Sequence, residues 1–327
     1  MNLLEDLVTI KDEKKVGLVG LNDEFFSLYI NKLFNEENKN ILIVTSTLYE
    51  ANVLNNFLSS YTNKTFLFPM DDFLTSESIA ISPDLKITRL ETLNKSLSSD
   101  KKIVITHLNG YLRYLPSKNK YMESILKLKK GTEIDREELT EKLISIGYER
   151  ETIVTKTGEL GVRGFVIDIF PIEYEHPIRI EFFGDEIDSI RLFDEENQKT
   201  IKELDKCEIY PNTEFLVDNY FNVEKNNQKY LYKLLNGKVE SIYNYLDNPI
   251  IVFKDYSQIE INYKTMIEQI LEYKKVQDKD YDGNYMFTLD DIKYDKVIYY
   301  NTINNIISDV KKQNIINYSV KEINCFN

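Results

Sequence analysis

Residues 16–44 read VGLVGLNDEFFSLYINKLFNEENKNILIV, and the order of segments in this stretch decides the fold class. A four-residue apolar run, a short turn with two glycines, a longer mixed segment and a second apolar run follow one another. In the mixed segment the apolar residues recur with helical spacing, at Phe25, Phe26, Leu28, Tyr29, Leu33 and Phe34. Short, fully apolar strands separated by helices predict a parallel sheet that is covered on both faces.

The same alternation continues along the first part of the chain. Further apolar runs occupy 65–68 and 102–106, and helical patterns occupy 48–58 and 85–97. We therefore predict that residues 1–118 form a nucleotide-binding-like α/β domain.

The last part of the chain returns to this pattern. Helical spacing covers 223–246 and 256–275, and apolar runs cover 249–253 and 296–300. The sequence therefore predicts a second, smaller α/β domain over 213–327.

The middle of the chain, residues 119–212, has a different pattern. A helix is expected over 135–146, because Asp135 and Glu138 resemble a capping box and the apolar residues behind them share one face. Five short strands are expected after it, at 152–156, 162–170, 178–183, 187–193 and 207–210. This predicts an α+β module inserted between the two α/β parts.

Charge and composition exclude several classes of function. The chain has 41 basic and 54 acidic residues, a net charge of −13, and an acidic surface repels the phosphate backbone of nucleic acids. Two cysteines, Cys207 and Cys325, and two histidines, His107 and His176, have no metal-ligand spacing, so no metal site is expected. Without a signal peptide or an apolar run of about 18 residues, a cytoplasmic monomer with no membrane contact is expected. The C-terminus carries no evident motif, which suits a piece of a longer protein.

The turn after the first strand lies where an α/β protein holds a phosphate-binding loop. Such a loop needs a lysine for the β- and γ-phosphates and a hydroxyl for Mg²⁺. Gly17 and Gly20 are present, but the two functional positions are Asp23 and Glu24. A like-charge pair at about 4 Å costs about 1 kcal/mol even in water, so this degenerate loop is not expected to bind a nucleotide. On the spacing alone, a tight turn that caps a helix explains the two glycines as well. No catalytic constellation is found elsewhere.

The strands of the middle module place arginines beside an aromatic residue. Because side chains alternate along a strand, Arg179, Glu181 and Phe183 share one outward face. A three-residue turn at 184–186 would set Arg179 opposite Arg191, with Ser189, Arg191 and Phe193 also pointing outward. Exposed arginine next to an aromatic ring is typical of a protein-interaction hot spot. A structural face of Arg–Glu pairs, with its aromatic residue covered by a neighbouring domain, is an equal alternative on the residues alone.

The stretch VRGFVIDIFPIEYEHPIRIEFFGDEIDSIRLFDEENQKTI, residues 162–201, resembles the domain shared by UvrB and the transcription-repair coupling factors (the Mfd family). Ser82-Pro83, the run RLETL at 89–93 and GYERE at 147–151 extend the resemblance over essentially the whole chain. The resemblance implies a degenerate helicase-like domain 1A at 1–118, a UvrB-like domain 2 at 119–212 and an α/β domain 1B at 213–327.

Two departures from UvrB show which of the two families this chain resembles more. UvrB has an intact phosphate loop and a tyrosine-rich, DNA-clamping hairpin, whereas this chain has the degenerate loop and no such insertion between Phe68 and Ser82. The resemblance therefore implies the non-catalytic N-terminal part of a coupling factor. A UvrB-type ATP-dependent damage-binding subunit is the enzymatic alternative, and a module that only restrains the rest of the chain is another.

The resemblance also implies partners. The module would recruit the excision-repair ATPase UvrA to RNA polymerase stalled at a DNA lesion. ATP, Mg²⁺, RNA polymerase and DNA would be bound only by translocase and polymerase-binding domains outside this chain. By position in the motif, Arg163, Arg179 and Phe183 correspond to family residues that contact UvrA, and Arg191 is a further candidate on geometry alone.

Overall fold

The computed structural model describes residues 13–70, 82–216, 231–232, 235–277, 283–302, 310 and 314–318. The chain divides into two compact units. The first combines Met1–Tyr114 with Ser241–Asn327, and the second is Leu115–Glu240. Elements are numbered along the whole chain.

The first unit is built on one parallel sheet. Within the described residues its strands are β1 (Lys15–Val19), β2 (Ile41–Thr45), β3 (Thr65–Phe68), β4 (Ile103–His107), β15 (Ile250–Lys254), β16 (Val297–Asn301) and β17 (Ile315–Asn317). Their order is β17-β1-β16-β15-β2-β4-β3, and every neighbouring pair is parallel. The helices are α1 (Asp23–Glu36), α2 (Leu48–Ser59), α3 (Pro83–Ser96), α4 (Leu108–Tyr111), α7 (Ile242–Tyr245) and α8 (Tyr256–Gln277). The predicted α/β class with a parallel sheet is confirmed.

Burial explains why these strands read as unbroken apolar runs. Every residue of β2, β4, β15 and β16 is buried, because both faces of the sheet are covered. The core includes a stack of Phe26 on Tyr300, with ring centroids 4.0 Å apart and planes inclined by 9°. Burial at both faces is the main stabilising contribution of this unit.

The prediction of a separate C-terminal α/β domain is wrong in its strand arrangement. Strands β15 and β16, from the C-terminal part, lie between β1 and β2, so β1 and β2 are parallel but not adjacent. A strand inside a parallel sheet needs a hydrogen-bonding partner strand at each of its two edges. The two parts of the chain supply those partners to each other. The insertion of the middle module between them follows from the same arrangement.

The predicted long helix over 223–246 is wrong from residue 235 onward, whereas residues 231–232 are helical. Residues 217–230 and 233–234 lie outside the described residues. Residues 235–246 contain a turn, strand β14 (Val239–Glu240) and the short helix α7. Asn236 and Gly237 have φ values of +52° and +73°, and this left-handed backbone interrupts a helix.

The second unit is α+β, as predicted. Its helices are α5 (Lys118–Glu123) and α6 (Arg136–Ser145). Its strands are β5 (Leu115–Pro116), β6 (Leu126–Lys129), β7 (Glu149–Arg150), β8 (Glu159–Arg163), β9 (Val166–Ile169), β10 (Ile178–Phe183), β11 (Glu186–Phe193), β12 (Thr200–Leu204), β13 (Lys206–Ile209) and β14. Strands β12-β11-β10-β9-β8-β7 form one sheet, antiparallel except for β7 with β8, while β6 pairs with β13 and β5 with β14. Asp135 caps α6 by accepting a 2.8 Å hydrogen bond from the Glu138 N–H.

Two predicted strands of this unit need correction. Residues 162–170 do not form one strand, because Gly164, with φ of +56°, and Phe165 make a two-residue turn between β8 and β9. Residues 152–156 are irregular, since their backbone makes no ladder with the sheet.

Among the helices of the described residues, none combines the length and the apolar character needed to cross a bilayer.

We expect the first unit to lose stability in mild acid through His107, which ends β4. Its Nε2 lies 3.0 Å from the Met70 carbonyl oxygen, and burial lowers the pKa of His107 to about 4. Between pH 6.5 and pH 4 the unfolded chain binds a proton that the folded protein does not, so the free energy of unfolding falls as pH falls. The loss at pH 4 is about 3 kcal/mol. Urea unfolding of the parent and of His107→Gln at several pH values isolates this contribution. Equal pH slopes for the two proteins would contradict it.

Candidate functional site

The degenerate phosphate loop is a helix-capping turn in the structure. Asn22 caps α1, and its Oδ1 accepts a 2.9 Å hydrogen bond from the Phe25 N–H. Gly20 has φ of +88°, and the backbone of Tyr318 lies directly against it. A Cβ on Gly20 would meet the Tyr318 carbonyl oxygen at 2.1 Å. Chain packing therefore requires the glycine here, and Gly17 lies in β1 with Ile315 and Tyr299 as its pairing partners.

The carboxylate of Asp23 has a cationic neighbour that the sequence did not reveal. Nζ of Lys254, at the end of β15, lies 3.3 Å from Asp23 Oδ1 and 3.7 Å from Asp255 Oδ2. Of the two loop carboxylates, Asp23 is therefore paired with a cation, while Glu24 is exposed. The lysine is buried and bound to protein carboxylates, which makes it a structural counter-ion.

A polar cleft of about 410 Å³ opens at the carboxyl ends of β15 and β16, the edge where open parallel sheets usually bind ligands. Its lining residues are Glu50, Asp255, Ser257, Gln258, Ile261, Asn301 and Thr302. Glu50 completes the capping box of α2 with Thr47, and Asp255 accepts hydrogen bonds from the N–H and hydroxyl of Thr302. Among the described residues that line the cleft, the carboxylates already hold the backbone, and none carries a guanidinium or ammonium group for a polyphosphate.

In the second unit, the predicted site residues form rows across one face of the large sheet. The pairing register places Asp168, Arg179, Arg191 and Glu203 side by side on β9, β10, β11 and β12. The predicted juxtaposition of Arg179 and Arg191 is therefore found. Positive charges directly opposite each other are unfavourable, and carboxylates compensate them, since Asp168 pairs with Arg179 and Glu181 pairs with Arg191.

Asp168 is the centre of this face. Its side chain is only 3% exposed, and both of its oxygens are bonded to arginines. Arg179 Nε donates to Oδ1 at 2.7 Å and its Nη2 donates to Oδ2 at 2.8 Å, while Arg163 Nη2 donates to Oδ2 at 2.7 Å. This fork-to-carboxylate geometry is the strong form of ion pair, and it holds two of the predicted arginines together.

Arg179 is much less exposed than an outward-facing strand residue was expected to be. Its side chain is 14% exposed, its Nη2 also donates to Gln198 Oε1 at 2.7 Å, and its guanidinium lies 4.2 Å from the centroid of Phe193. The hydrogen bonds that Arg179 donates to Asp168 raise the pKa of Arg179, so it stays charged. Phe193 was also expected to be exposed, but it lies under this guanidinium and is only 1% exposed. Arg179 is therefore part of the packing of this face.

The rest of this face is more open to solvent. Arg191 donates to Glu181 Oε1, and Ser189 donates to Glu181 Oε2 at 3.0 Å. Arg163 keeps 51% of its side chain exposed, and Phe183 at the end of β10 is 82% exposed. Phe183 and Arg163 are thus the predicted site residues with the most accessible surface.

The register of this face results from a turn that differs from the predicted one. Phe183 pairs with Glu186, so the turn contains only Gly184 and Asp185. A bulge then sets Asp188 outside the ladder, since Glu181 pairs with Ser189 and Phe182 with Ile187. The extra residue in the bulge replaces the third residue expected in the turn, and Arg179 still comes to lie opposite Arg191.

Sequence reasoning missed Asp168 and Gln198. Asp168 had a signal, because it is the one charged residue in the apolar run VIDIF, and such a residue needs a partner when it is buried. Gln198 had none, since it reaches Arg179 from a turn between β11 and β12 where its backbone adopts φ of +63°.

Comparison with known proteins agrees with this architecture. Residues 126–215 match the family model of the UvrB interaction domain. The transcription-repair-coupling factor of Bacillus subtilis (strain 168) is 33% identical over 206 residues, which cover 62% of this chain and 18% of that protein. The factor of Staphylococcus epidermidis is 30% identical over 242 residues, covering 73% and 21% respectively. That of Staphylococcus aureus (strain bovine RF122) is 32% identical over 218 residues, covering 66% and 19%.

The antiparallel sheet that carries the predicted arginines lies within the stretch that matches the UvrB interaction domain, and all four predicted contact residues lie inside that stretch. Over 62–73% of its length the chain is similar to transcription-repair-coupling factors. It spans about a fifth of the length of the curated relatives that it matches.

The two arginines on Asp168 should differ in their effect on stability. Arg179→Ala removes both bonds of a largely buried fork and should lower the free energy of unfolding by about 2 kcal/mol. Arg163→Ala removes one bond from an exposed arginine and should cost about 1 kcal/mol or less. Urea unfolding of the two variants measures the difference. Equal losses in the two variants would show that the buried fork of Arg179 contributes no more than the exposed Arg163, and would contradict this prediction.

Proposed function

We propose that this chain is the N-terminal, non-catalytic part of a transcription-repair coupling factor, and that its UvrB interaction domain recruits UvrA. The observation that carries the proposal is the face formed by Arg163, Arg179, Arg191 and Phe183. It combines guanidinium groups held in fixed positions with one large exposed aromatic ring. This is the residue composition of interaction hot spots, in which an arginine meets a carboxylate and a ring fills an apolar pocket.

The accessible part of this face indicates the kind of partner surface it fits. Arg163 is tied to Asp168 through one nitrogen and remains half exposed. Phe183 extends from the end of β10 beside a tight turn whose Gly184 has open space where a Cβ would be. A complementary surface on UvrA would offer a carboxylate to Arg163 and an apolar depression to Phe183. Fixed side chains lose little conformational entropy on binding, which favours recognition by such a face.

The rest of the functional proposal concerns the longer protein. Its relatives couple transcription to repair, as their name states, and this chain covers about a fifth of them. We propose that domains outside this chain bind RNA polymerase and DNA and hydrolyse ATP with Mg²⁺ as a translocase. The role of residues 1–327 would then be to bring UvrA to RNA polymerase stalled at a lesion.

We expect this chain not to bind ATP. The loop lacks a lysine and a Mg²⁺-ligating hydroxyl, Asp23 is paired with Lys254, and the cleft beside it presents carboxylates. Isothermal titration with Mg-ATP should give no heat of specific binding, with a UvrB protein titrated in parallel as the positive control. A micromolar dissociation constant would overturn the proposal and favour the UvrB-type ATP-dependent alternative.

Alanine variants of the exposed site residues should lose UvrA binding. Phe183→Ala and Arg163→Ala each remove an accessible anchor and should weaken binding by about 2 kcal/mol, roughly thirtyfold. Arg179→Ala should weaken it to a similar degree, and Arg179→Lys should recover little because an ammonium cannot replace the fork. Titration calorimetry or surface plasmon resonance with UvrA of the same organism measures these changes.

A matched control separates binding from folding in this experiment. Tyr49 is 77% exposed and belongs to the other unit, so Tyr49→Ala should bind UvrA like the parent. Circular dichroism verifies that each variant is folded under the binding conditions. If Phe183→Ala and Arg163→Ala are folded and bind UvrA with parental affinity, the interface lies elsewhere and the proposed function of this face is wrong.

A further inference from the structure

A second exposed phenylalanine lies at the same end of the sheet as Phe183. Phe165 occupies the turn between β8 and β9 and is 61% exposed. The N–H of Phe182, the residue before Phe183, donates a 2.9 Å hydrogen bond to the carbonyl oxygen of Phe165. The tips of the two hairpins are therefore joined through their backbones, and each carries a phenylalanine that is mostly in contact with solvent.

The turn itself does not require a phenylalanine. Both hairpins have a two-residue turn that begins with a left-handed glycine, Gly164 at φ of +56° and Gly184 at +64°. The second turn continues with Asp185, a residue type typical of such turns, whereas the first continues with Phe165. No part of the hairpin geometry explains the apolar side chain, and leaving such a ring exposed gains nothing for the fold.

Arg136 holds Phe165 in place. It donates to the carbonyl oxygen of Gly164, and its guanidinium lies 5.4 Å from the centroid of the Phe165 ring. Arg136 is the first residue of α6, where a positive charge opposes the helix dipole. Its position therefore serves the hairpin tip and not the helix.

The other hairpin tip is fixed by the segment that leads into α6. The N–H of Ile134 donates a 2.9 Å hydrogen bond to the carbonyl oxygen of Asp185, and Glu133 forms an antiparallel bridge with Glu186. Both tips are thus anchored to the start of α6, one through the backbone and one through Arg136. This end of the sheet presents two phenylalanines whose backbone positions are set before any partner binds.

We propose that Phe165 is a second apolar anchor of the UvrA-binding surface, and that Arg136 is a positioning residue that orients it. This inference rests on the proposed function of the neighbouring face. The partner it requires is a UvrA surface with two apolar depressions, one for each hairpin tip, next to the acidic groups that meet Arg163. Single exposed apolar residues are common on proteins, whereas two on rigid, adjoining tips fit the centre of an interface.

The proposal is tested on residues 1–327 with UvrA of the same organism. Phe165→Ala should weaken binding about tenfold, and Phe165→Leu should restore most of the affinity because it keeps an apolar side chain. The melting temperatures of both variants should equal that of the parent, since the side chain is exposed. Arg136→Ala should weaken binding less than Phe165→Ala, and it should have no further effect in a Phe165→Ala background. That non-additivity separates a positioning role from a merely structural one.

The outcomes distinguish the inference from the function on which it rests. Parental affinity for Phe165→Ala together with loss of binding for Phe183→Ala overturns the second anchor and leaves the proposed function standing. Parental affinity for both variants overturns both proposals. If Phe165→Ala lowers the melting temperature and the affinity in parallel, and Phe165→Leu restores both together, Phe165 supports the hairpin and is not an anchor. Tyr49→Ala again serves as the control for removal of an exposed ring.

Discussion

The candidate site depends on one buried carboxylate, that of Asp168. A charge in the middle of an antiparallel sheet is costly unless it is fully bonded, and here three arginine nitrogens bond it. Arg179 approaches from the neighbouring strand with the correct register, and Arg163 reaches the same oxygen from the other side. The position of Arg179 then determines where Phe193 and Gln198 pack. A substitution at Asp168 would therefore disturb the whole face, although its own side chain is hidden from any partner.

The first unit keeps the strand–turn–helix layout of a phosphate-binding loop and surrounds it with internal contacts. The strand–turn–helix geometry is intact, with Asn22 capping α1 and Gly20 in a left-handed conformation. The groups around it, however, bind each other: Lys254 pairs with Asp23 and Asp255, and the Tyr318 backbone lies against Gly20. The polar groups around this turn therefore make interactions within the protein that stabilise the fold.

The sequence predicted those features that depend on local pattern. Apolar runs such as 41–44 and 102–106 gave the parallel sheet, and Asp135 gave the start of α6, since both depend on residues close together in the chain. The order of strands did not follow, because nothing in the pattern of 250–254 shows that it pairs with β2. The pairing of Arg179 with Arg191 was predicted, although the structure reaches it through a bulge at Asp188. Lys254 and Gln198 were missed because their partners are distant in sequence or placed by a turn.

Exposure and hydrogen bonding together assign different roles to residues that look alike in the motif. Nε and Nη2 of Arg179 donate hydrogen bonds to Asp168 and Gln198, and its guanidinium covers Phe193. Little of this side chain is therefore left for a partner to contact. Arg163 uses one nitrogen for Asp168 and keeps half of its surface open. Phe183, at the end of β10, is mostly exposed to solvent. In the proposed interface Arg179 would therefore shape the face, while Arg163 and the hairpin tips, which can still exchange water for a partner, would supply most of the free energy of binding.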